Sequence, residues 1–410
     1  MRIAFVDLNF SWPANGGADI DLFFVIRGLQ ARGHEVHLFV AHEKGSTERG
    51  RVNPVDLPFP CSRLDFTRRT LRPKHLCATF RARIDAWRPS LVFIAHGFAL
   101  KPHLTLALAH HRVVLRYYAH ELACARNACR FKDGITCPYD FLRTPQVCRE
   151  CAAEHLAPEI RSMNCSTWTS DYLAARAYAP GYPDIARKSL RAAAGVIVSN
   201  TSLKVHLDGF HDCVRVVPGG VSATAIKPQA VYERAPGEPH AIFAAGRLED
   251  PMKGLEVLRE AGRLLARKRH DFEIWATHFD RTLTEEPFCA LGWRSHDETL
   301  AACGQSDIIV VPSLWEEPFG LVAVEAMACA RPVCASAVGG LLDIVRQGET
   351  GFHFEPGNAA ELAKELDILL DNPALRRRMG LAGRAVVEKE YDWDRVIERH
   401  YLPLLEEIAP

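Results

Sequence analysis

The stretch Trp315–Val333, WEEPFGLVAVEAMACARPV, holds two carboxylates in surroundings that simple burial would not choose for them. Glu317 stands just before a Pro-Phe-Gly turn, and Glu325 sits inside a run of small apolar residues that reads as a helix. Pro318 cannot extend a strand, and Gly320 leaves its backbone bare. A helix starting there would offer the amides of Gly320, Leu321 and Val322 to an anion, with the positive end of the helix dipole behind them. Glu325 falls roughly 7–8 Å of rise past Gly320. A buried carboxylate is costly without a partner, and a vicinal diol, with two hydroxyl donors for two oxygens, is a good one. A phosphate flanked by two polyol-binding carboxylates describes a nucleotide sugar, with ribose on one side and hexose on the other. Two cations, Arg247 and Lys253, lie upstream in AAGRLEDPMKG (244–254). A guanidinium fork and an ammonium point charge together would neutralise a diphosphate.

The elements that must position these groups follow from the apolar runs. IAFVDL (3–8), VHLFVA (36–41), LVFIAH (91–96), VVLRYY (113–118), GVIVSN (195–200) and VRVVP (214–218) read as strands in the first half. AIFAAG (241–246), FEIWAT (272–277), DIIVVPS (307–313) and RPVCASAV (331–338) do so in the second. Such runs, separated by amphipathic helical stretches, imply parallel sheets covered on both faces. The array restarts after 218–240, which is rich in Pro, Gly and Ala and reads as a linker. The expected architecture is α/β, with two doubly wound Rossmann-like domains. Open sheets of this kind bind ligands at the carboxyl ends of their strands, so the expected site is the cleft between the domains. Gly16 and Gly17 follow the first strand, where bare backbone could approach a ligand. His120 ends the strand VVLRYYAH and precedes Glu121.

Composition narrows the class. A chain of 410 residues exceeds one ordinary core, and 48% hydrophobic with 24% charged residues marks it as globular. Fifty basic and fifty acidic residues cancel, which argues against nucleic acid as a partner. No signal peptide and no membrane-length apolar run is visible, so a cytoplasmic protein is expected.

EPFGLVAVE resembles the E-x7-E signature of the family-4 retaining glycosyltransferases of GT-B fold. The resemblance continues in AAGRLEDPMKG, in GGLLDIVRQGETGFHFEPGN (339–358), in NGGADIDLFFVIRGLQARGHEVHLF and in VVPGGVSATAIKP. It spans nearly the whole chain apart from 121–165, and it implies two domains facing a central cleft. Residues 1–220 would be the acceptor-side domain and 221–390 the nucleotide-sugar domain, while 391–410 would be a helix crossing back. It implies that Glu325 holds the ribose, that Glu317 contacts the donor sugar, and that Gly320, Leu321 and Val322 meet the phosphates. Gly246, Arg247 and Lys253 would serve the leaving group, and Gly16 and Gly17 the donor phosphates or the acceptor. His120 would orient a sugar hydroxyl or the acceptor. No carboxylate declares itself for double displacement, so the implied mechanism is same-face substitution without a catalytic metal. The donor would be a UDP-, GDP- or ADP-sugar. The acceptor, a glycan, lipid-linked or small-molecule sugar, is not readable, nor is the choice between hexosyl and N-acetylhexosaminyl transfer. A nucleotide-sugar 2-epimerase of the same fold and a non-catalytic sugar-nucleotide binder are the competing readings.

Three features stand apart. Residues 121–165 lack regular periodicity and carry Cys124, Cys129, Cys137, Cys148 and Cys151. With one C-x2-C pair, they suggest a structural metal, zinc first, held by Cys129, Cys137, Cys148 and Cys151, with Cys124 as a substitute and His155 as a spare ligand. Disulfides and unliganded thiols are the alternatives. Asp19-Ile20-Asp21 and Asp392-Trp393-Asp394 look like metal-binding D-x-D triplets but read better as helix caps. Residues 62–88 hold eight Lys or Arg against two Asp. They form either a solvated face or a patch for peripheral contact with an anionic membrane or a phosphorylated acceptor.

Overall fold

The computed structural model describes residues 1–46, 49–228, 234–235, 237–280, 282 and 285–408. Part of the expected linker, 229–233 and 236, lies outside the described residues. The chain divides into two compact units: Met1–Arg130 with Pro138–Val217 and Ile397–Pro410, and Phe131–Cys137 with Pro218–Val396.

The strands run in chain order: β1 (Arg2–Asp7), β2 (Glu35–Glu43), β3 (Cys61–Phe66), β4 (Leu91–Ile94), β5 (Val113–Arg116), the short pair β6 (Phe131–Lys132) and β7 (Ile135–Thr136), β8 (Gly195–Val198) and β9 (Val214–Val216). The second unit adds β10 (His240–Ala244), β11 (Phe272–Ala276), β12 (Phe288–Ala290), β13 (Ile308–Val311), β14 (Val333–Ser336) and β15 (Gly351–Phe354). The first unit's sheet has the order β3-β2-β1-β4-β5-β8-β9, and the second unit's has β12-β11-β10-β13-β14-β15. Each sheet is parallel throughout. Because side chains alternate along a strand, both faces must be apolar. In the second unit Ile309, Val311, Val333 and Ala335 enter one core layer with Phe243, while Ile308, Val310, Cys334 and Ile242 enter the other.

In each sheet the chain winds outward from a central strand and then returns to that strand's other side. The reversal lies between β1 and β4 in the first sheet and between β10 and β13 in the second. At such a point the loops leaving the two strands diverge and open a crevice. The second sheet's crevice lies between the loop carrying Gly246, Arg247 and Lys253 and the loop carrying Glu317 and Gly320. Besides the short pair β6 and β7, three strands of the two large sheets were missing from the sequence reading: β3, β12 and β15. CSRLDF is broken by Ser62, Arg63 and Asp65, GFHF by a glycine and a histidine, and β12 is three residues long, so none presents a continuous apolar run.

The expectation for 121–165 is corrected. The segment is not irregular: it contains the antiparallel pair β6–β7 and an 18-residue helix, Pro145–Ser162. That helix buries Cys148, Ala152 and Leu156, an i, i+4, i+8 stripe of residues too small and mixed to announce itself. The C-terminal segment is helical in three parts, Trp393–Val396, a π-turn at Ile397–Tyr401 and Leu402–Ile408. Ile397 packs so closely on Gly28 that a side-chain carbon there would lie 2.7 Å away. No described helix is long and apolar enough to cross a membrane.

Candidate active site

In the second unit, the loop after β13 is shaped by close backbone approach. Gly340 donates its N–H to the Glu317 carbonyl at 2.7 Å, and a Cβ on Gly340 would fall 2.4 Å from the Phe319 carbonyl oxygen. Gly339, at φ 54°, sits equally close to the Glu317 backbone. The Gly-Gly pair therefore acts as a bare shelf under the Glu317–Phe319 turn. Gly320, at φ 109°, then starts the helix Leu321–Ala328. The amides of Leu321 and Val322 fall in its first turn, where no intrahelical carbonyl can meet them. This is the arrangement that suits an anion.

The loop after β10 is tied to the same region. Leu314 donates its N–H to the Met252 carbonyl at 2.8 Å. Asp250 caps the short turn Pro251–Lys253 by accepting the Met252 N–H. Lys253 Nζ then reaches Glu317 Oε1 at 2.5 Å, a contact shared by the Ser313 hydroxyl at 3.2 Å, and lies 5.1 Å from the centre of the Trp315 ring. The structure thus pairs two residues that the sequence assigned separate partners. Gly246 is held from both sides by Thr277, whose hydroxyl accepts its N–H at 2.9 Å and donates to its carbonyl at 2.7 Å. Arg247, the next residue, is exposed.

Glu325 is 4% exposed. The sequence reading gave it a ligand diol as its only partner. The structure supplies a protein partner: His296 Nε2 lies 2.6 Å from Glu325 Oε1. His296 is placed by a capping box, in which the Ser295 hydroxyl accepts the Glu298 N–H and the Glu298 carboxylate accepts the Ser295 N–H at 2.8 Å. Its hydrogen bond to Glu325 raises the imidazole pKa above the ordinary histidine value, against the opposing effect of partial burial. Sequence reasoning missed His296, although the Ser-x-x-Glu spacing does mark it as the first residue of a helix.

In the first unit, Gly16 precedes the helix Gly17–Ala31 in extended backbone with open space where a side chain would stand. Capping does not explain the first D-x-D triplet. Asp19 reaches back to the amides of Asn15 at 2.9 Å and Ser11 at 3.3 Å, and Asp21 binds the buried Arg116 guanidinium at 3.0 Å. Burial pushes the Asp19 carboxyl up to about 6. In the second triplet, Asp392 does cap its helix, accepting the Asp394 N–H at 3.0 Å.

His120 is buried and lines a small cavity with Tyr117, Leu142, Val198 and His206. Its ring meets that of His206 edge-on, with centres 5.4 Å apart. His206 was not foreseen. Asp140 Oδ2 lies 3.2 Å from its Nδ1, and Arg130 lies 2.6 Å from its Nε2, so the ring is held from both sides. Glu121 is committed to the core, where its carboxylate accepts from the fully buried Lys101 at 2.8 Å. Of the five clustered cysteines, Cys137 belongs to the second unit and Cys124, Cys129, Cys148 and Cys151 to the first. None forms a disulfide. Among the described residues, no group of three or more side chains gathered closely enough to share an ion includes a cysteine.

Residues 279–386 match the family described as Glycosyl transferases group 1. The D-inositol 3-phosphate glycosyltransferase of Pseudarthrobacter chlorophenolicus is 31% identical over 231 residues, covering 48% of this chain and 53% of that protein. The chain spans about half the length of the curated relatives it matches. Among solved structures, sucrose-phosphate synthase from Thermosynechococcus elongatus superposes with a TM-score of 0.67 at 21% identity, covering 100% of this chain and 99% of that one. HepE from Anabaena, solved in complex with UDP and glucose, gives 0.64 at 18% identity, covering 98% and 99%. These structures share the fold, with its two parallel α/β sheets. Residues 279–386 thus resemble the group 1 glycosyltransferases, and the chain as a whole shares the GT-B fold of these solved structures.

Proposed function

We propose that the protein is a retaining glycosyltransferase that moves a hexosyl or N-acetylhexosaminyl group from a nucleotide sugar to a sugar-containing acceptor. The observation that carries this reading is the set of groups at the second sheet's switch point: Lys253 against Glu317, the helix start at Gly320–Val322, and the buried Glu325 one and a half turns along. Those amides and the cations Arg247 and Lys253 suit a diphosphate, Glu325 suits the ribose hydroxyls, and Glu317 suits the donor sugar. With ligand present, Lys253 turns part of its charge from Glu317 to the phosphate. The leaving group's charge then grows against fixed positive groups, which is where electrostatic catalysis gains most. In same-face substitution the departing phosphate takes the acceptor's proton, so the protein supplies positioning and charge. His120 and His206, one buried and one oriented by Asp140 and Arg130, are assigned to the acceptor or to a sugar hydroxyl. The donor nucleotide named in the HepE complex makes UDP the first to test.

The test is a thermal-shift screen of UDP, GDP and ADP sugars, followed by incubation of the stabilising donor with and without candidate acceptor sugars. Stabilisation by one donor class, with acceptor-dependent release of its nucleotide, supports the reading. Sugar isomerisation with donor alone replaces it with an epimerase. Binding with neither reaction leaves a sugar-nucleotide binder.

A further inference from the structure

Away from the sites above, the first unit brings three metal-competent side chains to one point. Asp85 lies near the end of the helix Pro73–Trp87, and His110 and His111 lie in the turn before β5. His110 Nε2 is 2.8 Å and His111 Nε2 is 2.6 Å from the same oxygen, Asp85 Oδ1. All three ligand atoms fall within 4.8 Å of one another. We infer that Asp85, His110 and His111 form a surface site for a divalent transition metal, zinc being the best fit.

Several observations favour coordination over a plain hydrogen-bond network. Adjacent residues usually point apart, yet these two rings sit with their centres only 4.1 Å apart. Both turn the same ring nitrogen, Nε2, to one oxygen, so two imidazole nitrogens and a carboxylate oxygen converge on one point. The other side of the carboxylate faces Arg81, whose Nε is 3.5 Å from Oδ2. That contact leaves Oδ1 for the ion and orients the group as an outer partner does.

The geometry needs little change. Zinc holds His nitrogen and Asp oxygen at roughly 2.0–2.2 Å, which puts tetrahedral ligand atoms about 3.3 Å apart. The present nitrogen–oxygen separations must therefore open by about half an ångström, within reach of a small ring rotation. The side chains of Asp85 and His110 are each 39% exposed, so the fourth position is open to water. Two imidazoles and a carboxylate suit zinc, nickel or copper and do not suit calcium or magnesium, which take oxygen ligands. A bound ion would pin the helix Pro73–Trp87 to the turn that feeds β5.

The experiment is cobalt and zinc titration of the chelator-treated full chain, followed by absorbance and melting midpoint. The H110Q/H111Q double variant and D85N are measured alongside. The cysteine segment could also take an ion, but thiolate ligation adds a charge-transfer band that nitrogen and oxygen ligands do not. The expected result is one ion with ligand-field absorption and no thiolate band, whose zinc-induced rise in melting midpoint disappears in both variants. Each variant should bind one ion fewer than wild type or bind it at least ten-fold more weakly. Equal stoichiometry and affinity in wild type and the double variant overturn the site. Retention of the wild-type ion by D85N overturns the three-ligand assignment.

Discussion

Replacing Glu325 by Gln separates a ligand role from a structural one. The side chain keeps its shape and its hydrogen bond to His296, but loses the charge that would hold two ribose hydroxyls. A hydrogen bond to a charged group contributes about 1.5–3 kcal/mol. The variant should therefore bind the nucleotide about 10- to 150-fold more weakly, as read by calorimetry with UDP or GDP. The effect on folding should be much smaller. The His296 side chain is 56% exposed, so solvent screens its ion pair with Glu325, whose loss costs at most about 1 kcal/mol. For a domain of this size that is a shift of about 2–4 °C in melting midpoint. The shift also has a pH signature. Because Glu325 raises the His296 pKa in the folded state, the pair's contribution is complete below the ordinary histidine value of about 6.5. It is lost as pH rises through the raised folded-state value. The gap in midpoint between wild type and E325Q should thus be widest near pH 6 and close in alkaline solution. Unchanged nucleotide affinity in E325Q would refute the ribose assignment. A collapse of stability without a change in affinity would make Glu325 a core residue and nothing more.

Lys253→Met should lower kcat/KM about 30- to 1000-fold by removing a fixed charge from the leaving group, while circular dichroism stays that of the wild type. Activity should meanwhile persist in EDTA, and an immediate loss restored by magnesium or manganese would contradict the assignment of Arg247 and Lys253. Gly340→Ala drives a methyl group into the Phe319 carbonyl, so it should destabilise the second unit by about 1–3 kcal/mol and weaken nucleotide binding; denaturant titration and calorimetry check both. If the cysteine segment holds zinc, metal analysis of the Cys148→Ser/Cys151→Ser variant should show about one ion fewer per chain than wild type. Equal zinc content, or thiols that titrate freely in the wild type, would end that proposal.

Much of this protein was legible in order along the chain. Runs such as IAFVDL and DIIVVPS must be buried on both faces, so they declared parallel sheets, and the restart after 218–240 declared a second one. Pro318-Phe319-Gly320 marked the helix start because backbone chemistry at Pro and Gly is local. Contacts between residues distant in sequence were not legible. Nothing near Glu325 announces His296, 29 positions away, and nothing near Lys253 announces Glu317, 64 positions away. The Gly339–Gly340 pair looks like a turn until Glu317 and Phe319 are seen lying on it. The helix Pro145–Ser162 hid because its buried stripe is Cys, Ala and Leu, and Asp19 and Asp21 looked like caps until their partners Ser11, Asn15 and Arg116 were in place. Local pattern determines which backbone a segment adopts. Which carboxylate meets which cation depends on where the sheet's winding brings two loops together, and that only the tertiary structure decides.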